Sequence, residues 1–306
     1  MVLLGSVLKA GSEDSCRAMR RFHSPIKRLL DRLTYITPLD LRGTESLLEA
    51  ASVSARRWCL VEVPLAQCRT SLGFAFNRDT LQPFVLTVRR YVGGTVSSYV
   101  DSPLKEYYEH FRPNNIWELL DLPGEPHPDL LKFPPWAYVR PWEKTSLTKK
   151  SQVRIAARTR DNVSRGADLN FEHGGTGFGP VSREKGELEF RVLARLSENI
   201  QRRGYVRSNR PDGDIIAVPL VDRGEVRYVV RSGKHRTAVL TALGFERVTL
   251  RVSFVGAPRS AEADCWPHVK DGLFTHEQAL ALFQRLFEGR PPKNAIPPQW
   301  LAPGTS

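Results

Sequence analysis

The stretch VRYVVRSGKHRTAVLTALG, residues 226–244, decides the architecture of this chain. Val226, Tyr228 and Val230 alternate with more polar neighbours, the period-2 pattern of a half-buried strand. Ser232-Gly-Lys-His-Arg236 then opens a helix, TAVLTALG, and Gly244 closes it as a C-terminal cap. Just upstream, Asp222-Arg-Gly224 is a turn, and DIIAVPLV (214–221) is an apolar strand whose Pro219 predicts an edge position. Further upstream, Ser182 is a helix N-cap, and the helix runs to about Arg203 with Leu193, Leu196 and Ile200 on one face. Downstream, Val248, Leu250, Val252 and Phe254 alternate again and mark another strand. Helix, strand, strand, helix, strand is a compact α+β unit with a small mixed sheet. One more amphipathic helix is expected near Thr275–Phe287, and residues 290–306 are predicted to form an extended, mobile tail.

The rest of the chain is read from weaker patterns. Residues 1–50 form a helical lead-in, with Ile26, Leu29, Leu30 and Leu33 at helical spacing. Segments 58–65, 71–76 and 83–92 are short, rich in β-branched and aromatic residues, and predicted as strands. Segments 102–111 and 115–122 are predicted helices. Residues 133–142 (FPPWAYVRPW) carry Trp136, Tyr138 and Trp142, which either stack a base or sugar or, the weightier reading, pack as an ordered arm on the body. The organisation expected is a strand-and-helix extension over 1–150, a basic and glycine-rich connector over 151–180, a core over 181–256, and a helix with a proline-rich tail over 257–306.

Composition bounds the class. At 306 residues, with 41% hydrophobic and 25% charged, the chain is not collagen, coiled coil or mostly disordered. No apolar run approaches the ~20 residues of a membrane span. The N-terminus lacks the pattern of a signal peptide. Cys16, Cys59, Cys68 and Cys265 show no CxxC and are expected as reduced thiols in a cytoplasmic protein. Forty-five Lys and Arg against 33 Asp and Glu give a net charge of +12, which points to an anionic partner or to solvated surface arginines. Lys149, Lys150, Arg154, Arg158, Arg160 and Arg165 cluster with only Asp161 opposing them, as in an anion-facing patch or a solvated linker.

A strand running into SGKHR at a helix start is a good anion site on first principles, because the first helical N–H groups lack partners and the dipole is positive there. Gly233 permits a sharp turn, Arg236 can grip phosphate oxygens, and His235 can donate a hydrogen bond or serve as acid or base. The alternative is a tight strand-to-helix turn with surface side chains.

Residues 229–244, with the strand at 248–255 after them, resemble the ParB/sulfiredoxin-like superfamily, whose pattern is strand, Gly-x-His-Arg, helix with Ala and Leu-Gly, strand. The preceding helix and hairpin fit it too, through Glu189, Leu193, Ser197–Ile200, Gly204-Tyr205 and 215–221. The resemblance covers residues 180–256. It implies that Gly233, His235 and Arg236 hold phosphates of a nucleoside di- or triphosphate carried with Mg²⁺, with Ser232, Lys234 and Thr237 beside them. Lys234 stands where sulfiredoxins have a reactive cysteine, which argues against a sulfinic acid reductase. About 50 residues follow the unit, with one clear helix and a proline-rich tail, which argues against a partition protein with its helix-turn-helix domain. The free-serine kinase branch has Asp where Ser232 stands, and it uses a Glu on the preceding helix as base.

Glu189 is the counterpart to test. At ~100° per residue it falls within roughly 40° of Leu193, Leu196 and Ile200, on the inward stripe. Burial is expected to raise its pKa towards that of a useful base, though a first-turn Glu paired with Arg236 is the plainer reading. Glu189 and His235 are thus the catalytic candidates. The glycines of loop 173–180 either wrap phosphates or serve as a flexible connector, and lone His173 is expected to be structural. No metal-ligand spacing is present, and a Mg²⁺ brought by a nucleotide would look to Glu189 or Asp222. The preferred function is nucleotide binding with phosphoryl transfer to an unknown hydroxyl acceptor, or nucleotide hydrolysis. The rival is a nucleic-acid-binding module with nuclease activity, and a third reading is a catalytically inactive interaction protein.

Overall fold

The computed structural model describes residues 38–44, 58–165, 167–207 and 213–301. The expected helix at 26–33 and Cys16 lie outside them. Six strands form one mixed sheet: β1 (Leu39–Asp40), β2 (Cys59–Pro64), β3 (Cys68–Arg69), β4 (Ile215–Asp222), β5 (Glu225–Ser232) and β6 (Arg247–Val252). Their spatial order is β1-β2-β6-β4-β5-β3. The β4–β5 and β2–β6 pairs are antiparallel, and the β1–β2, β4–β6 and β3–β5 pairs are parallel. The hairpin read from residues 214–232 therefore lies inside the sheet, with β4 between β6 and β5. Strands from before residue 70 extend it on both sides.

Three expectations are corrected. The segment 83–92 is not a strand but helix α1 (Pro83–Val92). Gln82 caps it by accepting from the Val85 N–H, and Pro83 sits at the helix start, where its missing N–H costs nothing. Phe84, Val85 and Val88 are buried at helical spacing, and this period overrides the β-propensity of the valines. Segment 71–76 likewise forms no strand; it turns back so that Ala75 makes one bridge to Arg69. Pro219 is not on an edge strand, since β4 lies between β5 and β6. It is tolerated because β6 pairs only with Ile215–Ala217, and Pro219 lies beyond that ladder.

The remaining helices are α2 (Pro103–His110), α3 (Ile116–Leu120), α4 (Pro128–Lys132), α5 (Leu147–Ser164), α6 (Arg183–Arg203), α7 (Lys234–Ala242), α8 (Pro267–Lys270) and α9 (His276–Glu288). Helix α1 packs on α7, α6 and α2, and α6 packs on α7. Ser182 caps α6 as expected, and Thr275 with Gln278 makes a capping box on α9. The tail is also corrected up to residue 301. Trp300 is buried and its indole N–H donates to Glu106 Oε2 at 2.6 Å, while Ala295 is fully buried. An indole buried with a partner for its N–H anchors this proline-rich segment on the body. Among the described residues, no helix is long and apolar enough to cross a membrane, and Cys59, Cys68 and Cys265 are free thiols.

Candidate functional site

The turn after β5 has the geometry its sequence requires. Gly233 has φ +83°, and a Cβ on it would lie 2.8 Å from Ile215 Cγ1, so no other residue fits without a shift. It opens α7 with no side-chain cap hydrogen bond. The six candidates around it diverge. Lys234 reaches into a cleft of about 610 Å³. His235 is buried and stacks on Phe84, ring centroids 4.9 Å apart. Arg236 donates to the Gly213 carbonyl and, at 2.9 Å, to the Asp214 carbonyl, fastening the segment before β4. Thr237 is buried and donates to the Gly233 carbonyl, and Ser232 is exposed at the end of β5.

Glu189 is fully buried, as its place on the stripe predicts, and it meets His235 directly: Oε2 lies 2.5 Å from His235 Nε2. Its other oxygen accepts from Lys185 Nζ at 2.5 Å and Arg165 Nη1 at 2.6 Å. Arg236 is not its partner. Burial alone would push this carboxyl up, but His235, Arg165 and Lys185 outweigh it and hold the carboxyl well below the usual carboxylate range. The expected rise in its pKa is thereby reversed. Burial pushes His235 below its ordinary value against the pull of Glu189, so the neutral ring donates Nε2–H to the carboxylate. Lys185 also donates to Asn162 Oδ1 at 2.6 Å, which ties the end of α5 to α6.

The basic stretch, read as a patch or a linker, is helix α5, and it forms one wall of the cleft. Lys150, Arg154 and Arg158 recur every fourth residue on the stripe that ends in Asn162. Only Leu147 and Asn162 of this helix are buried. It is held instead by arginine–aromatic stacking: the Arg154 guanidinium lies 3.6 Å from the Tyr138 ring centroid, and that of Arg158 lies 4.8 Å from the Phe171 centroid. Trp136 donates its indole N–H to Ser151 Oγ at 3.2 Å. Trp142 packs away from the cleft, edge-on to Trp266 and Phe283.

Facing α5 across the cleft are Arg140 from the loop before it, Lys185 from α6, Arg231 from β5 and Lys234 from α7. The glycine-rich loop contributes Gly174–Phe178, and Lys234 Nζ donates to Thr176 Oγ1. Burial lowers Lys234 to about 8, with Glu189 opposing. His173 is structural in its contacts: its ring Nδ1 lies 2.9 Å from Ser182 Oγ, beside the α6 cap. Lys149, Lys150, Arg154 and Arg158 bring the cations lining the cleft to eight, against one lining carboxylate, Asp161. Arg140 is buried, and its Nε has no hydrogen-bond partner among the described residues.

Sequence reasoning missed Arg140 and Arg231 as members of this site, and it weighed Tyr138 as packing of an ordered arm over stacking a base or sugar. The stripe Lys150-Arg154-Arg158 and the i,i+4 pair Lys185–Glu189 were its readable signals. Among the described residues, no group of three or more His, Cys, Asp or Glu is placed to hold a metal. Glu189 is saturated by cations, and Asp222 accepts from Ser260 and from Gln284 at 3.4 Å. Glu189 therefore does not fit a Mg²⁺, and Asp222 is not among the residues lining the cleft. No family model, curated protein or solved structure matches this chain.

Proposed function

We propose that the cleft between α5, the glycine-rich loop and the β5–α7 turn binds a phosphorylated small molecule. On the resemblance of residues 180–256 to the ParB/sulfiredoxin-like superfamily, that molecule is a nucleoside di- or triphosphate. The observation that carries this reading is the charge of the cleft: eight cations line about 610 Å³, and with Lys185 answered by Glu189 and Glu143 shared by Arg140, Lys150 and Arg231, a surplus of positive charge is left. Such a volume suits a small ligand and is far smaller than a nucleic-acid duplex needs. The unpartnered Arg140 Nε is a buried donor that a phosphate oxygen would satisfy. Lys150, Arg154, Arg231 and Lys234 supply the charge neutralisation on which phosphoryl transfer chiefly depends. In this reading the 232–237 turn contributes Lys234 to the ligand, while Glu189 and His235 act from behind it. An ionised, triply paired carboxylate is a weak base, so Glu189 orients Lys185 and the α7 start rather than removing a proton.

A thermal-shift panel of inorganic pyrophosphate, ADP, ATP and CTP tests the binding. A ligand at 100 times its dissociation constant adds about 2.7 kcal/mol of stability. Reversing Lys149, Lys150 and Arg154 to Glu should abolish that shift, because these side chains line the cleft. If no phosphate compound stabilises the protein and single-stranded DNA binds with steep salt dependence, the nucleic-acid reading replaces this one.

A further inference from the structure

The wall of the cleft holds one more group that can do chemistry. Tyr138 follows the helical turn Pro135–Ala137, is almost wholly buried, and lines the cleft with Ser71, Arg140, Arg154 and Arg231. We propose that Tyr138 is the proton-transfer residue of the cleft, its phenolate oxygen accepting the proton of a hydroxyl or phosphate O–H on an anion bound among these cations. The proposal rests on the anion-binding reading above.

The charges around Tyr138 come from every element packed against it. Arg154 and Arg158 approach from α5, the former over the ring. Arg140 and Glu143 come from the loop before α5, Arg231 from β5, and Ser71 from the segment after β3. Glu143 is the sole carboxylate in this group. It is already shared by Lys150, by Arg140 at 3.4 Å and by Arg231 at 3.9 Å. The cluster therefore has a surplus of positive charge that a ligand anion or a phenolate would offset.

Other buried tyrosines provide the contrast. Tyr107 also lines the cleft but donates its hydroxyl to the Gly177 carbonyl at 2.6 Å, Tyr228 has Arg227 as its nearby cation, and burial pushes both phenols up. Burial acts the same way on Tyr138, with Glu143 in support, but Arg154 and Arg140, with the Ser71 hydroxyl nearby, outweigh it and bring the phenol down to about 7. A group poised near the working pH is the efficient proton acceptor. In the step, the O–H bond of the ligand breaks and its electron pair stays on the ligand oxygen. The proton passes to Tyr138 Oη, leaving an oxyanion beside Arg154 and Arg231. Proton and charge balance without any further reactant.

Near-ultraviolet titration of tyrosinate absorbance on the full chain tests this, with the wild type compared against Tyr138→Phe. One tyrosine of the eight should ionise near pH 7 in the wild type and be missing from the variant. Saturating inorganic pyrophosphate, with binding followed by calorimetry, should raise that midpoint by about one pH unit or more as it competes for the cations. Arg154→Ala should raise it without pyrophosphate, which keeps the test decisive if Tyr138→Phe misfolds. A wild-type titration with no tyrosine below its ordinary range overturns the proposal, whatever pyrophosphate does. So does a low midpoint that bound pyrophosphate leaves unmoved. A low midpoint lost in Tyr138→Phe, with no pyrophosphate binding, overturns the reading of the cleft and leaves the ionised tyrosine established.

Discussion

Two clusters in this molecule are built from the same parts and finish differently. Around Glu189, two cations and a histidine converge on one carboxylate at 2.5–2.6 Å, and the whole is packed under α1 and α6. Around Glu143, Arg140, Lys150 and Arg231 also gather on one carboxylate, but at longer reach for the two arginines, and beside an open cleft with Arg154. The first cluster closes its own electrostatics and has nothing left to offer a ligand. The second is left positive and accessible. Burial of a charged residue is thus a poor guide to function in this fold. What separates structure from site is whether the positive charge is fully answered by the chain itself.

The largest expected effect tests the closed cluster. Glu189→Gln leaves the buried Lys185 without a counter-charge and Arg165 with Asp161 alone, at 3.1 Å, so stability should fall by about 3–5 kcal/mol. Urea denaturation measures this. A loss under ~1 kcal/mol would mean that the cations are hydrated in place and that the cluster is as open as the other. Next comes the open cluster. Arg154→Ala should weaken pyrophosphate binding by about 10- to 100-fold, the range of one charge-assisted hydrogen bond. The helix should stay folded, since its ends are held by Ser146 and Asn162 and Arg158 still stacks on Phe171. Isothermal calorimetry reads the affinity, and an unchanged value would detach α5 from the ligand.

The pH response sharpens the contrast. The folded protein holds His235 below the 6.5 of free imidazole, so the neutral ring is the form the fold accommodates. Its contribution is complete above pH 6.5 and is lost as pH falls below that value. Glu189 acts in the same direction further down, its contribution complete above about 4.5 and lost towards its depressed folded value. Urea midpoints should therefore decline steadily from pH 7 to pH 4. His235→Gln should remove the upper part of the decline and leave the lower. A wild-type midpoint that is flat across this range would contradict the burial assigned to both groups.

How much of this was legible in the sequence follows the same division. Strand β5, the Gly233 turn, α7 and β6 were readable because local periodicity and one obligatory glycine agree. Glu189 was placed inward by helical arithmetic alone. Its electrostatic state was not readable, because Arg165 and His235 come from distant parts of the chain. The open cluster was harder still. Tyr138, Arg140, Arg154 and Arg231 span 138–231 and meet only because β5 and α5 face each other across the cleft. Helix α1 was misread because Phe84, Val85 and Val88 carry strand propensity, while Pro83 and the Gln82 cap carried the truer signal. The tail was misread because proline content hides the anchoring of Trp300.

Lys234 joins the two clusters, and it gives the smallest and most discriminating expected effect on stability. It lines the cleft, hydrogen-bonds Thr176, and feels the Glu189 charge from behind. Burial lowers it to about 8, so at neutral pH the fold carries a cation that it holds at some cost. Because the folded value lies below the 10.5 of free lysine, this cost is full below about pH 8 and is relieved as pH rises to 10.5. Lys234→Met keeps the length of the stem and removes the charge. Two terms then oppose each other: relief of the cost stabilises, by up to about 3 kcal/mol for a shift of this size, and loss of the Thr176 hydrogen bond, about 1 kcal/mol, destabilises. The net change at pH 7 should be neutral to stabilising by urea denaturation, by no more than about 2 kcal/mol, while pyrophosphate affinity falls. A large loss of stability with intact affinity would assign Lys234 to the closed cluster. A near-neutral or raised stability with weakened binding would assign it to the open one, and with it the part of the Gly-x-His-Arg turn that faces the ligand.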